Sequence, residues 1–235
     1  MSYRPFSTAQ IFISLKTILP FLGVTFGVVL GTVVFSFILA LLVVRQKSVK
    51  NRFWNKFADS YVHILRCTPS IVLLFIVFYG IPKFILVIFN VNINFWPKII
   101  FVIIALSLLY SAQLAEIIRS ALNTVGRGQY EAGLSIGLNP VQSMLRIVAP
   151  QAFVVALPNL GNSLIALFKE GSLAYTIGLI DVMGAGNLII SRNYGGYALE
   201  TYIALAIVYW SITIIIENVF KHLEKRFSKG RKNVA

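Results

Sequence analysis

Five long runs of apolar residues, separated by shorter polar and basic segments, dominate the pattern of this chain. A bilayer core about 30 Å thick is crossed by roughly 20 helical residues. The pattern therefore predicts an all-α membrane protein with about five transmembrane helices in a single domain, residues 1–235. The predicted spans are residues 18–44, 69–89, 99–118, 147–168 and 198–220.

Two apolar regions depart from a plain spanning helix. The fourth run contains Pro150, Pro158 and Gly161, which predict a broken helix. The glycine-rich segment 171–190 either dips into the membrane as a partial sixth span or lies along its face. Irregular backbone is tolerated at membrane depth only where protein or a water-filled cavity surrounds it, so the broken fourth span is expected to face a cavity.

Composition supports the membrane interpretation. Hydrophobic residues make up 57% of the chain and charged residues only 12%, against about a quarter in soluble domains. The net charge of +13 is strongly positive, with 21 Lys and Arg residues against 8 Asp and Glu. Its basic residues cluster between apolar runs, where they meet lipid headgroups, rather than covering a water-facing domain as in nucleic-acid binders. We therefore expect the lipid bilayer, and no nucleic acid, as a partner.

The distribution of Lys and Arg predicts the orientation. Residues 45–68, residues 119–146 and the tail after residue 220 hold fifteen of them, against five in the alternating segments. Cytoplasmic loops carry the excess of basic residues. The N-terminus is therefore predicted outside and the C-terminus in the cytoplasm.

The most informative loop is residues 129–150, which reads QYEAGLSIGLNPVQSMLRIVAP. Residues 131–138 are predicted to form a short helix with Leu134 and Leu138 on one face. Gly133 and Gly137, also four residues apart, leave a strip where another backbone can approach closely.

A sharp corner is predicted directly after this helix. Gly137 permits a turn, Asn139 is a good N-cap, and Pro140 suits the first position of the next helix. A short helix with an apolar and glycine-rich face is either a docking element for a partner protein or an interfacial helix lying on lipid headgroups.

Glu131-Ala132-Gly133, followed by Gly137, Ile147 and Pro150, resembles the EAA motif of bacterial ABC-importer permeases. Gly133 stands where the motif has its second Ala, and Ala149 where it has Leu. In that family the motif forms the coupling helix, which sits in a cleft of the ATPase subunit. The resemblance thus implies a type I importer permease fold, with ATPase-coupling residues Glu131, Ala132, Gly133, Leu134, Gly137 and Leu138.

Further stretches narrow the resemblance to permeases for polar amino acids. They follow in order, with normal spacing, from about residue 65 to 185. They are Leu65–Pro69 (LRCTP), Ala115–Arg119 (AEIIR), Gly128-Gln129, Leu157–Asn162 (LPNLGN) and Lys169–Leu173 (KEGSL).

The resemblance implies a bacterial plasma-membrane subunit that works by alternating access. Its partners are two P-loop ATPase subunits, a second permease chain in a homodimer or heterodimer, and an extracellular substrate-binding protein. The chain has no G-x-x-x-x-G-K-[ST] loop, so the partner ATPase is expected to use ATP and Mg while this chain binds no cofactor or metal. Cys67 is the single cysteine of the chain, so the sequence has no group of cysteines that could bind a metal ion.

Ionisable and polar residues near the end of the fourth run are the candidates for the substrate path. An amino acid needs hydrogen-bond donors for its carboxylate and acceptors for its ammonium group, and ionisable residues within a span are costly unless functional. The candidates are Asn159, Asn162, Ser163, Lys169 and Glu170. Alternatively, Lys169 and Glu170 form an interfacial ion pair.

Ser163 bears on the substrate. Related permeases for cationic amino acids often carry Glu at this position, so Ser163 favours a neutral substrate such as cystine or glutamine over arginine or lysine.

Other acidic residues have simpler expected roles. Glu116 and Arg119 are spaced to pair on one helix face, as a structural bridge or a gate, and Glu217 is spaced to pair with Lys221. Asp181 either caps a short helix or lines the path.

Two other classes of membrane protein fit the sequence less well. A secondary carrier or channel that works without ATP usually shows internal repeats over a longer chain, and we find no convincing repeat in 235 residues. An intramembrane enzyme would carry a pattern such as H-E-x-x-H or G-x-S-x-G, which the spans lack. The chain is therefore expected to be a non-catalytic subunit.

Overall fold

A computed structural model of the chain describes residues 5–48 and 51–228, and these are almost entirely helical. Arg4, Lys50, Lys229, Arg231 and Lys232, which enter the count of basic residues, lie outside the described residues. The α-helices are α1 (Thr8–Ile18), α2 (Leu22–Ser48), α3 (Arg52–Cys67), α4 (Ser70–Phe75), α5 (Ile81–Phe89), α6 (Lys98–Val125), α7 (Arg127–Ser135), α8 (Pro140–Ser143), α9 (Ala149–Gly171), α10 (Val182–Arg192) and α11 (Ala198–Phe227).

Short helical turns of other types join several of these helices. Three-residue and six-residue 3₁₀ turns at Leu19–Phe21 and Ser172–Ile177 follow α1 and α9. Single π turns at Ile76–Gly80 and Met144–Val148 link α4 to α5 and α8 to α9. Because these turns continue the helical path, the flanking α-helices combine into longer membrane-crossing segments.

Five helical segments among the described residues are long and apolar enough to cross a bilayer, which confirms the predicted number. The first begins at Thr8, well before Ile18, because the turn containing Pro20 joins α1 to α2. The five segments are Thr8–Gln46, Ser70–Phe89, Lys98–Val125, Pro140–Ile177 and Ala198–Phe227.

The prediction of a broken fourth span is wrong. Helix α9 runs without interruption from Ala149 to Gly171 with Pro158 inside it. Pro150 lies in the first turn of α9, where a missing backbone N–H costs little, and membrane helices tolerate an internal proline. Helix α10, which begins within the segment 171–190 and ends at Arg192, has 11 residues and covers only about 16 Å, roughly half a bilayer core.

The helices pack into two compact units. The first unit comprises Met1–Ser36, Thr68–Tyr110 and Ala166–Ile214. Its core joins α1, α10 and α11 through Ile18, Val182, Ala185, Ala204, Leu205 and Val208. Two hydrogen bonds brace it, from the Val182 N–H to Thr25 Oγ1 at 3.2 Å and between the hydroxyls of Ser14 and Thr201 at 3.4 Å.

The second unit comprises Phe37–Cys67, Ser111–Ile165 and Ile215–Ala235. Small residues let α6 and α9 approach closely, with Ala121, Ala152 and Ala156 at the centre of the contact. Tyr61 on α3 hydrogen-bonds to Ser111 on α6 at 2.7 Å. These contacts hold the framework on which α7 and α8 are mounted.

Candidate functional site

Helix α7 is a short helix with a defined stop. It covers Arg127–Ser135, so it begins four residues earlier and ends three residues earlier than the predicted helix at 131–138, and Leu138 lies beyond it. It ends in a Schellman motif, in which the N–H of Leu138 donates to the Gly133 carbonyl at 3.1 Å and that of Gly137 to Leu134 at 3.0 Å. Gly137 has a φ of +87°, the left-handed conformation that glycine adopts most easily, which confirms the predicted turn.

The corner after α7 is fixed by a capping box. The Gln142 N–H donates to Asn139 Oδ1 at 2.9 Å, and the Asn139 N–H donates to Gln142 Oε1 at 3.1 Å. Pro140 occupies the first turn of α8. The predicted cap at Asn139 and the predicted helix start at Pro140 are therefore confirmed.

One side of α7 packs against its own chain. Gly133 is buried, and a Cβ added there would lie 2.3 Å from Ser143 Oγ and 2.9 Å from Ile147 Cδ1. The Ser143 hydroxyl donates to the Tyr130 carbonyl at 2.8 Å. The close approach predicted at Gly133 is thus made by α8 and the π turn after it, and Gly133 does not lie on the outer surface.

The opposite side of α7 is exposed. Glu131, Ala132 and Leu134 lie on it, while Leu138 is half-buried. Ile136, which the sequence analysis did not single out, is 76% exposed at the tip of the helix. The signal for it was its place directly before Gly137, where the helix ends and its last side chains project outward.

An open groove of about 1100 Å³ lies beside α7, within the second unit. Its apolar lining includes Leu122, Val141 and Leu145, and its charged lining residues are Arg119, Arg127 and Glu131. Arg119 hydrogen-bonds through Nε to Glu116 Oε2 at 3.1 Å. The predicted pairing of Glu116 and Arg119 is confirmed, and its role as bridge or gate stays a prediction.

The candidate path residues on α9 divide by exposure and by packing unit. In the second unit, Asn159 and Asn162 are exposed, whereas Ser163 is buried and its Oγ has no hydrogen-bond partner among the described residues. In the first unit, Lys169 and Glu170 are exposed at the end of α9, and the Ser70 hydroxyl hydrogen-bonds to the Glu170 carboxylate. Each unit therefore has two exposed polar side chains from the predicted set.

Two buried acidic side chains organise the first unit. Asp181 caps α10, since its Oδ1 accepts from the Gly184 N–H at 2.8 Å, and burial raises the pKa of this carboxyl to about 6. Glu200, at the start of α11, is 6% exposed and accepts from the Ser7 N–H at 3.1 Å. Of the two roles predicted for Asp181, the helix cap is confirmed, and no role was predicted for Glu200.

Five membrane-crossing segments, with an exposed helix between the third and the fourth, define a multi-pass membrane protein. The comparisons agree: residues 33–229 match the family described as "Binding-protein-dependent transport system inner membrane component", and the chain belongs to this family. It is accordingly a multi-pass inner-membrane protein. Membership implies an ATPase and a substrate-binding protein as partners.

Individual relatives cover almost the whole chain. It is 37% identical to the L-cystine transport system permease protein TcyL of Bacillus subtilis (strain 168), over 93% of this chain and 90% of that protein. It is 35% identical to the probable amino-acid permease protein YxeN of the same strain, over 91% and 92%.

Solved structures share the fold. A crystal structure of an amino acid ABC transporter with histidines matches with a TM-score of 0.82 and 27% identity, over 95% of this chain and 100% of that one. An inward-facing structure of the MetNI methionine ABC transporter matches with a TM-score of 0.67 over the same shares, and its 18% identity shows the fold alone.

Proposed function

We propose that this chain is the membrane-spanning, non-catalytic permease subunit of an ATP-driven importer for polar amino acids. Cystine and glutamine are the favoured substrates. The names of TcyL and YxeN, and the description of the matching structure as an amino acid ABC transporter with histidines, support the amino-acid class. The family supports binding-protein-dependent transport over the alternative, an ATP-independent carrier or channel.

The exposed tip of α7 is the observation that carries the proposal. A lever must be rigid, and α7 is held by the Schellman motif, the capping box and the bond from Ser143 to Tyr130. A lever must also present a contact, and Leu134 and Ile136 are exposed apolar side chains. Movement of an ATPase bound at this tip is transmitted to the membrane helices, which then alternate access to the substrate.

The complex comprises two permease chains, as a homodimer or heterodimer, and two ATPase subunits, with a binding protein outside. ATP and Mg are used by the ATPase subunits. The N-terminus lies outside, so that α7 and the C-terminus face the ATPase in the cytoplasm.

The proposed path uses the polar groups of α9. In the first unit, Lys169 donates hydrogen bonds to the substrate carboxylate, and Glu170 accepts them from its ammonium group. In the second unit, the exposed amides of Asn159 and Asn162 line a separate stretch of the path. Ser163 supports a neutral side chain on the substrate, because a hydroxyl offers no counter-charge to a cation.

Reconstitution tests this function. The full complex in proteoliposomes, with its binding protein, is supplied with single amino acids, and both ATP hydrolysis and uptake are measured. Wild type is expected to show ATP hydrolysis stimulated by cystine or glutamine. Ile136→Asp is expected to lower this stimulation at least about tenfold, since a charge at an apolar contact costs about 2 kcal/mol or more.

Thr124→Ala is the matched control, because Thr124 is exposed at the end of α6 and bonds only locally to the Ser120 carbonyl. It should leave stimulation unchanged. Uptake that survives ATP depletion but collapses with the ion gradient would overturn the proposal in favour of a secondary carrier.

A further inference from the structure

Helix α3 has three distinct faces, although it lies between the first two membrane-crossing segments and is not one of them. At 100° per residue, Ala58, Val62 and Leu65 share the buried face, and the adjoining Tyr61 is tied to Ser111 by the 2.7 Å hydrogen bond. Packing against its own chain therefore uses only one side of α3.

The second face is a row of large, exposed apolar side chains. Phe53 and Phe57 are 69% and 59% exposed, and Ile64 and Trp54 flank them. The Trp54 ring stands edge-on to Phe53 and Phe57, with centroids 5.7 and 6.3 Å away. We name Phe53, Trp54, Phe57 and Ile64 the aromatic ridge. An apolar patch of this kind marks a contact with a partner or a membrane.

The third face is polar and basic. Arg52, Lys56 and His63 lie within 40° of each other on the helix and directly beside the ridge. Arg52 and Lys56 are both exposed. Long basic side chains next to inserted aromatics are typical of helices in the plane of a membrane surface, where the charge reaches the phosphates.

Two observations favour lipid over protein as the occupant. The polar face adjoins the ridge along one edge, with Lys56 about 60° from Phe53 around the helix, an arrangement that suits the boundary between acyl chains and headgroups. In addition, α3 ends at Cys67 and the next membrane-crossing segment begins at Ser70, which puts the end of α3 at the boundary of the bilayer.

We propose that α3 is an interfacial anchor that binds anionic phospholipid. The aromatic ridge lies among the upper acyl chains, and Arg52 and Lys56 bind the headgroup phosphate. This inference does not depend on which substrate the protein transports, nor on ATP.

Trp54 provides a direct probe, since the chain has only three tryptophans. In the full chain with Trp96→Phe and Trp210→Phe, Trp54 is the sole emitter. The protein is reconstituted into phosphatidylcholine vesicles containing a fixed fraction of brominated lipid, either phosphatidylglycerol or phosphatidylcholine. Bromine quenches tryptophan only on close contact.

We expect brominated phosphatidylglycerol to occupy the site at least about fivefold more strongly than brominated phosphatidylcholine, since a single basic residue near the surface provides that enrichment and α3 offers two. Arg52→Gln with Lys56→Gln should reduce this preference to near unity while quenching by the total lipid persists. High salt should weaken the preference in the wild type.

Lys225→Gln with Arg226→Gln is the charge-matched control, because both residues are exposed on α11. Its preference should equal that of wild type. Equal quenching by the two lipids in wild type would overturn the headgroup site. No quenching by either lipid would overturn the anchor and assign the ridge to a protein contact, with a second copy or the ATPase.

Discussion

Asp181 shows how a single side chain makes the stability of the fold depend on pH. Its Oδ1 accepts the hydrogen bond from Gly184, but its Oδ2 has no partner among the described residues, and the side chain is buried. The phenol of Tyr209 lies close enough to interact electrostatically with the Asp181 carboxylate. Burial raises the pKa to about 6, above the value of about 3.9 in an unfolded chain.

This shift has a definite sign. Since the folded protein holds the proton more tightly, the contribution of Asp181 to the free energy of unfolding is complete below about pH 4 and is lost as the pH rises through about 6. Asp181→Asn should abolish this part of the pH dependence and make the protein more stable than wild type above pH 6. Asparagine is an equally good N-cap, so the cap is retained.

Thermal unfolding of the purified chain in detergent between pH 4 and 8 measures the effect. Glu217→Gln, which removes an exposed carboxylate from the 2.6 Å pair with Lys221, is the control and should keep the wild-type profile. If Asp181→Asn follows the wild-type curve throughout, the buried carboxyl does not set the pH dependence.

Some structural roles of single residues were predictable from the sequence, and others were not. Asn139, Pro140 and Gly137 were predictable because caps and turns depend on neighbours within a few residues. The spacing of Glu217 and Lys221 likewise predicted their pair. The burial of Gly133 was not predictable, because it depends on Ser143, which comes close only after the chain has turned the corner between α7 and α8.

At the scale of elements, the contact of α7 with the α8 region is the one most sensitive to a small change. Gly133→Ala puts a methyl group into the space held by Ser143 and Ile147. We expect a loss of about 1–3 kcal/mol in the free energy of unfolding, because a close-packed site must shift to admit it. Hydrogen exchange at residues 130–148 should rise together with this loss.

Gly128→Ala is the matched control in the same helix. Nothing lies within 4 Å of a Cβ added at Gly128, and its φ is not positive. It should be neutral or stabilising by about 0.5–1 kcal/mol, since alanine loses less backbone entropy in a helix. If the two alanine variants are equally stable, α7 is not held by this contact.

Elements were predictable to the extent that lipid dictates them. The five spans followed from the length of apolar runs, and their number was right because a bilayer requires internally bonded helices of fixed minimum length. The continuity of α9 through Pro158 and the joining of α1 to α2 were not predictable from that argument. Both depend on local turns and on neighbouring helices, which satisfy the backbone groups that a proline leaves without a hydrogen bond.

On the scale of the whole molecule, α2, α6, α9 and α11 each contribute residues to both packing units. Each unit carries different candidate chemistry: the second holds α7 and the groove, and the first holds Lys169, Glu170 and the buried Asp181 and Glu200.

The proposed mechanism requires one orientation in the membrane, because α7 must meet an ATPase in the cytoplasm. The excess of basic residues predicts that orientation. It is testable because the chain has a single cysteine, Cys67, which can be removed before new ones are introduced.

In a Cys67→Ser background, Asn94→Cys probes the exposed loop between α5 and α6, and Ser135→Cys probes the exposed end of α7. A membrane-impermeant maleimide should label the first in right-side-out vesicles and the second in inside-out vesicles. Labelling of Ser135→Cys in sealed right-side-out vesicles would put α7 on the outer side, where no ATPase reaches it. The lever mechanism fails in that case even if substrate still crosses the membrane, because ATP hydrolysis in the cytoplasm has no contact through which to move these helices.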